Sequence, residues 1–239
     1  MPGWRHLGIA WPTGDPAEAS GWHGEPITQF RLRQLERLRQ HPSWAMFGDN
    51  LGDQTMIMVF VHAVQMALKG RTELSVLDWG GELGGTLVRL RKILPHVTFR
   101  WTVKEMPSIC RAGKDLADGA VFVEEADKAL AECYDLVIAS ASLHYDREWR
   151  KTLAGLVGST AGILLLARQP TVMSSPSYVA AQSAYGTTFT CWVLNEAELF
   201  GQLTALGMGA VHRLLSGDAA TIPDAPEQPV FRSYVLTRR

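Results

Sequence analysis

From Leu74 onward, short apolar runs alternate with amphipathic stretches: "LSVLDW" then "GTLVRLRKILP", "VTFRWTVKE" then "PSICRAGKDLADG", "AVFVE" then "ADKALAE", "YDLVIAS" then "DREWRKTLAGLVG", and last "GILLLAR". Five apolar strands separated by helices predict a parallel, doubly wound sheet buried on both faces. The pattern then changes. "TTFTCWVL", the helical "NEAELFGQLTALG", "MGAVHRLL", a Pro-rich loop over Ile222–Pro229 and "VFRSYVLTRR" predict one more helix and a terminal antiparallel hairpin. Before Leu74 a helix is expected over Thr28–Gln40, ended by His41-Pro42, with Arg31, Arg33, Arg37 and Arg39 as its solvated face. The apolar window after Asp53 predicts a buried helix, capped by Asp53 and stopped near Gly70. The first 30 residues have no period and read as an irregular arm in which Trp4, Trp11 and Trp22 pack. This divides the chain into an arm and helical cap over 1–70 and a main domain over 71–239.

Composition narrows the partners. With 239 residues, 46% of them apolar, the chain is long enough for one principal core. A net charge of -1, from 23 basic and 24 acidic residues, provides no field for nucleic acid or an anionic membrane, so neither partner is expected. The apolar window contains His62 and Gln65 and is shorter than the about 20 residues of a span. The N-terminus lacks the apolar core of a signal peptide, and Cys110, Cys133 and Cys191 form neither a zinc pattern nor a disulfide scaffold, which together point to a reducing cytoplasm. No His, Cys and Asp grouping has metal-ligand spacing. A homodimer is left open.

The first strand ends in "VLDWGGELGG", where Gly80, Gly81 and Gly84 let backbone bend tightly and approach a ligand at the carboxyl end of the sheet. The second strand ends in Glu105, 21 residues beyond Gly84, about the distance at which an acid meets a ribose diol. Turn and acid together point to an adenosine-type ligand, against a purely structural turn and an exposed carboxylate. Glu82 bears on which one. A dinucleotide pyrophosphate beside it would be repelled, whereas S-adenosylmethionine carries a sulfonium and an ammonium there. A Glu82 turned to solvent is the other reading.

At these residues the chain resembles the class I S-adenosylmethionine-dependent methyltransferases, and among them a sequence-defined group whose first motif reads approximately D-F-G-G-G-L-G. It stands here as Asp78-Trp79-Gly80-Gly81-Glu82-Leu83-Gly84. The likeness continues through "WTVKEMP", "YDLVIASASLHY", "LLLARQP", "YVAAQ" and "LNEAELFGQLTALG", and includes "DPAEASGWHG" in the arm. The resemblance implies a Rossmann-like α/β fold: a seven-stranded, mostly parallel sheet whose last strand is antiparallel, beneath an N-terminal helical cap. It also implies S-adenosyl-L-methionine as cofactor, with Asp78 in the first motif, Gly80, Gly81 and Gly84 at the methionine end, Glu105 on the ribose hydroxyls and Met106 on the adenine face. The acid near the adenine amine is Glu124, Glu125 or Asp127, and Ser140 comes near the methionine moiety. Glu82 departs from the motif and is accommodated if its φ is negative.

Methyl transfer needs alignment and, for some acceptors, removal of a proton. His144 in "SASLHYD" is the first candidate base, against a merely structural loop histidine, and the group's motif has Gln at that position. Tyr145, Gln182, Asp49 and Asp53 are candidates for positioning a small-molecule acceptor, and His62 reads as a core histidine. The function expected is methyl transfer to a small molecule, in specialised biosynthesis. The alternatives are a cyclisation or elimination that keeps the sulfonium intact, a scaffold whose pocket Glu82 closes, and, more remotely, a nucleotide-dependent oxidoreductase.

Overall fold

The alternating text folds into three layers. The computed structural model describes residues 3–13, 25–42, 51–114, 116 and 119–239, so Trp22, Asp49 and the "DPAEASGWHG" segment lie outside the described residues. Strands β2 (Glu73–Trp79), β3 (Thr98–Lys104), β4 (Ala120–Val123), β5 (Tyr134–Ser140) and β6 (Thr160–Val172) are parallel and ordered β4-β3-β2-β5-β6. Beyond β6 lies β10 (Val230–Arg238), antiparallel to it, and then β9 (Met208–Leu215), antiparallel to β10. These seven strands are the expected sheet with its terminal antiparallel hairpin.

Alternate residues of the central strands face opposite layers. Val76, Leu136, Ile138 and Leu165 are buried with Phe60 and Val64 of α2 (Leu51–Leu68) and Leu87 of α3 (Gly85–Ile93). Leu77, Val137, Leu164 and Leu166 are buried with Leu153 of α6 (Trp149–Gly158) and Leu199 and Leu203 of α7 (Glu196–Ala205). The remaining helices of this part, α4 (Pro107–Gly113) and α5 (Ala126–Leu130), are short. Asn195 caps α7, its side chain accepting from the Glu198 N–H at 3.1 Å. By length and composition α2 could cross a membrane, yet Met56, Phe60, Ala63, Val64 and Ala67 on it are buried in this core. Asp53 lies inside its first turn rather than capping it, and the helix ends at Leu68, followed by Lys69 and Gly70 with positive φ.

The arm departs from expectation. Gly3–Gly8 is strand β1, paired antiparallel with β7 (Tyr178–Ala184), which itself pairs with β8 (Thr187–Asn195). The hairpin closes through Tyr185-Gly186, both with positive φ (54° and 77°), the handedness that a two-residue turn requires. This three-stranded extension joins the main sheet where Thr171 and Val172 of β6 meet Leu194 and Asn195. Trp4 and Trp11 do pack, against Phe231 at 6.4 Å and Trp192 at 5.7 Å between centroids. Helix α1 (Glu25–Gln40) starts three residues earlier than read from the sequence, and its Leu35 and Leu38 are buried against Leu83, Val88 and Ile109. That contact places α1 beside the carboxyl ends of β2 and β3.

One backbone contact tests the sheet. Gly162 sits where the β5/β6 register shifts, and a Cβ there would lie 2.5 Å from the Asp135 carbonyl oxygen. Asp135 has little freedom to retreat, because its carboxylate accepts from the Ser75 N–H (2.9 Å), the Ser75 hydroxyl (2.7 Å) and Arg71 (2.8 Å). Gly162→Ala should therefore destabilise the protein by about 1–3 kcal/mol, read as a lowered urea midpoint at unchanged slope.

Candidate functional site

Strand order reverses about β2, with β3 on one side and β5 on the other, so their carboxyl ends splay into a crevice. A cavity of about 960 Å³ lies there, at the upper end of the range for ligand sites, with room for a nucleoside-sized ligand and a second small molecule. Asp78, Gly80, Gly81, Glu82, Glu105, Met106, Ser140 and Tyr145 all line it; Gly84 and His144 do not. Nor do Glu124, Glu125 and Asp127, so none of the three acids after β4 reaches the cavity wall. The structure thus gathers most of the residues singled out from the motifs.

The turn after β2 needs its glycines for different reasons. A Cβ on Gly81 would lie 2.5 Å from Asp78 Oδ2, and one on Gly80, whose φ is 72°, would lie 2.6 Å from Ser142 Cβ. Gly84, at φ 75°, starts α3 in a left-handed conformation. Glu82 does not have the negative φ that would have accommodated it easily: it stands at 54°. Ala141 after β5 (49°) and Arg168 in β6 (55°) share this geometry and also line the cavity. At or beyond three neighbouring strands, non-glycine residues are therefore held left-handed, two in the turns after β2 and β5 and one at a bulge within β6, each at a cost of order 1–3 kcal/mol that the surrounding fold must over-determine. For Arg168 the cause is a bulge: β6 and β10 lose register between Arg232 and Tyr234, and the Arg168 N–H donates to Ser233 Oγ at 3.2 Å. The bulge turns the Arg168 guanidinium toward the cavity, where it bonds Asp218 at 2.9 and 2.5 Å.

Negative charge is concentrated at one end. Asp78 is 2% exposed, its Oδ2 has no hydrogen-bond partner, and burial, reinforced by the charges of Glu82 and Glu105, pushes its pKa up to about 7. Glu105 accepts from the Met106 N–H (2.7 Å) and the Glu82 N–H (3.2 Å); burial still raises its pKa. Glu82 is raised too, by burial deep in the cleft although its side chain keeps 45% of its surface accessible, and the Arg31 and Arg168 charges oppose the rise. Its Oε1 lies 2.7 Å from Arg31 Nη2. Arg31, read from the sequence as part of a solvated face, is only 12% exposed at its side chain and lines the cavity, while Arg33 and Arg37 of the same helix are exposed. Its guanidinium stands over the Tyr185 ring at 5.2 Å and the Phe30 ring at 5.6 Å.

The opposite end is aromatic. Tyr145, Tyr185 and Phe189 face one another, with centroids 6.1 and 6.5 Å apart, and the Tyr145 hydroxyl donates to Gln182 Oε1. Burial raises the Tyr145 pKa well above the tyrosine range, so its hydroxyl stays protonated and acts as a donor. His144 is 1% exposed behind this wall, its ring 4.2 Å from Tyr145 and its Nδ1 without a partner. Burial holds it down at about 3, against a raising contact from Gln169. A histidine out of the cavity and so weakly basic does not suit the general-base role expected of it; it is a buried neutral side chain. His62 is likewise no core histidine: it is exposed, its ring 4.8 Å from His212. Sequence reasoning missed Arg31, Arg168 and Tyr185. Only Arg168, the charge that ends the apolar run "GILLLAR", carried a signal.

Burial of His144 makes stability depend on pH. The folded protein keeps it neutral down to about 3, while the unfolded chain takes up a proton below about 6.5, so this contribution is full above 6.5 and is lost as pH falls toward 3. His144→Gln should reduce the difference in unfolding free energy between pH 7 and pH 5 by about 2 kcal/mol, measured by urea titration at both pH values.

No protein-family model and no curated protein matches the chain, so the narrower motif resemblance gains no support from them. Solved structures do match. One is the 1,6-didemethyltoxoflavin-N1-methyltransferase of Burkholderia thailandensis with bound 1,6-didemethyltoxoflavin and S-adenosylhomocysteine, at 15% identity over 98% of this chain and 94% of that one, TM-score 0.55. Another is the magnesium protoporphyrin IX methyltransferase of Synechocystis PCC 6803 with bound S-adenosylhomocysteine, at 13% identity over 82% of this chain and 93% of that one, TM-score 0.52. A third is CalS10 of Micromonospora echinaspora, an amino pentose methyltransferase involved in calicheamicin biosynthesis, at 15% identity over 82% and 94%, TM-score 0.51. At these identities the likeness is one of fold: the chain has the Rossmann-like class I methyltransferase fold.

Proposed function

We propose that the protein is an S-adenosyl-L-methionine-dependent methyltransferase acting on a small molecule. The observation that carries this is the carboxylate cluster of Asp78, Glu82 and Glu105 around the glycine turn, at the switch point of this fold. Desolvation and mutual repulsion disfavour their ionisation, so a ligand bearing positive charge is favoured there and a pyrophosphate is not. Bound S-adenosylmethionine would supply an activated methyl on a sulfonium. Asp78 and Glu82 would face its positive end, Glu105 the ribose hydroxyls, Met106 the adenine, and Ser140 and the Gly80–Gly81 backbone the methionine moiety. The solved neighbours that hold S-adenosylhomocysteine support the same choice.

The arm and cap, residues 1–70, together with the β7–β8 hairpin, would enclose the acceptor. Tyr145 and Gln182 would position it, and Arg31 and Arg168 would favour polar or anionic groups. With His144 outside the cavity, the acceptor itself would contribute a nucleophile that needs little deprotonation, and Tyr145 would donate rather than accept. A role in specialised biosynthesis follows the example of the calicheamicin enzyme. A cytoplasmic location and independence from nucleic acid and membrane complete the reading, with a homodimer left open.

Asp78 gives a sharp test. A cationic ligand beside it favours its ionised form, so binding near pH 7 should release a proton and affinity should rise as pH rises through about 7. Isothermal titration with S-adenosylmethionine in buffers of different ionisation enthalpy should show that release, and Asp78→Asn should abolish it. Absence of any binding by S-adenosylmethionine and S-adenosylhomocysteine would overturn the proposal; binding without methylated product from any acceptor would favour a cyclisation or elimination. For a methylated acceptor, Tyr145→Phe should raise KM by about 2- to 10-fold with kcat little changed, the effect of removing one neutral hydrogen bond to bound substrate.

A further inference from the structure

We infer that the β7–β8 hairpin and Tyr145 form a subsite for a flat, conjugated ring that carries a carbonyl oxygen, the Gln182 side-chain amide donating to that oxygen and the rings of Tyr145, Tyr185 and Phe189 receiving the ring system. This rests on the small-molecule reading above and deepens it by naming the chemical class of the acceptor and the residue that selects it.

The hairpin register carries the inference. Gln182 of β7 stands opposite Phe189 of β8, so their side chains share one face of the hairpin, and Tyr185 occupies the turn that joins the strands. The 3₁₀ turn Leu143–Tyr145 brings Tyr145 against Phe189, and all these side chains line the cavity. The Tyr145 hydroxyl, kept protonated by burial, donates to Gln182 Oε1, which turns the amide nitrogen away from the tyrosine. That Nε2 is not enclosed, and no described residue accepts from it, so it is left to donate to a ligand in the cavity. The rings beside it are steeply inclined, Tyr145 to Phe189 at 67° and Tyr185 to Phe189 at 73°. A flat conjugated ring meets such a stepped wall by stacking on one ring and touching the next edge-on, contacts that a puckered saturated ring loses. Ile27 and Met56 also line the cavity, a setting in which apolar walls hold a ligand and a few placed polar groups orient it. An oxygen conjugated with the ring suits both requirements. It accepts in the ring plane, where the amide can reach it while the ring faces stay against the aromatic side chains. It also delocalises the charge left when a neighbouring ring N–H or O–H gives its proton to water, and neither the Tyr145 hydroxyl nor the Gln182 amide can take that proton near neutral pH. A saturated alcohol would neither stack here nor ionise.

Simple probes separate the parts: 2-quinolone is a flat bicyclic lactam, octahydro-2-quinolone carries the same carbonyl on puckered rings, and indole is flat without the carbonyl. Titrated calorimetrically into wild type, with and without saturating S-adenosylhomocysteine, 2-quinolone should bind about threefold or more tightly than either of the others. Gln182→Met should bring 2-quinolone down to the affinity of indole while indole itself stays within about twofold of wild type, which also shows that the variant folds. Tyr185→Leu should narrow the gap between 2-quinolone and its saturated analogue, since both keep the Gln182 contact. Equal binding of those two by wild type, a Gln182→Met variant that keeps the full preference over indole, or no binding of any probe would overturn the inference. The cofactor reading is judged separately in the same titrations, by whether S-adenosylhomocysteine binds: the probes can fail while it stands, and it can fail while the probes bind the free protein.

Discussion

Burying negative charge at the carboxyl ends of β2 and β3 is the constraint around which the site is arranged. A carboxylate moved out of water without a partner is strongly disfavoured, and Asp78 is in nearly that position, almost fully enclosed with one oxygen unbonded and two further acids nearby. The chain compensates unevenly. Glu105 has two backbone N–H donors and Glu82 has Arg31, whereas Asp78 retains a pKa near 7 and is only part-ionised at neutral pH. A stability-optimised fold would have replaced one of these acids by a neutral residue. Keeping all three places the electrostatic deficit where the strand ends meet the cavity, which is the relation between instability and function expected of a binding site.

Backbone strain is concentrated at the same place. Glu82 and Ala141 follow β2 and β5, Arg168 lies at the bulge within β6, and all three share a left-handed φ that their side chains disfavour. They are tolerated because the layers beneath them are over-determined: Leu77, Val137, Leu164 and Leu166 on one face and Val76, Leu136 and Leu165 on the other are 0% exposed. A well-filled core fixes where each strand runs, and these residues adopt the φ that the adjoining turn or bulge imposes. The β6 bulge shows the device most clearly, because the extra residue breaks register with β10 where Arg168 takes its left-handed φ.

Periodicity exposed the parallel core because strands buried on both faces have no polar positions to blur them, and "LSVLDW", "YDLVIAS" and "GILLLAR" all became central strands. β1 and β7 were not legible. In "GWRHLG" four of the six residues are polar or glycine, and its strand character comes from pairing with β7, a partner about 175 positions distant that no local window contains. The glycine turn and Glu105 were found because spacing reports their chemistry. The direction of Glu82 and the burial of His144 were not, since a residue's φ and its depth behind a wall are set by tertiary context. Arg31 illustrates the same limit: among four arginines on one helix, nothing in the spacing distinguishes the one that turns inward to Glu82 and Tyr185.

The two ends of the cavity are built from different parts of the molecule. Asp78, the glycine turn and Glu105 sit on strand ends of the seven-stranded core, whose geometry is tied to packing on both faces. Tyr145, Gln182, Tyr185, Phe189 and Arg31 come from a 3₁₀ turn, an added hairpin and the N-terminal helix, elements anchored to the core by Leu143 and Leu194 and by the apolar cluster under α1. The cavity-facing side chains of these outer elements can change with whatever molecule the aromatic end encloses, while the acidic end stays tied to the strand ends. What joins the two ends is the Glu82–Arg31–Tyr185 chain, an ion pair continued by a cation–π contact. An event at the glycine turn is therefore transmitted to the hairpin through two contacts, each weak enough to rearrange and both formed by the same guanidinium.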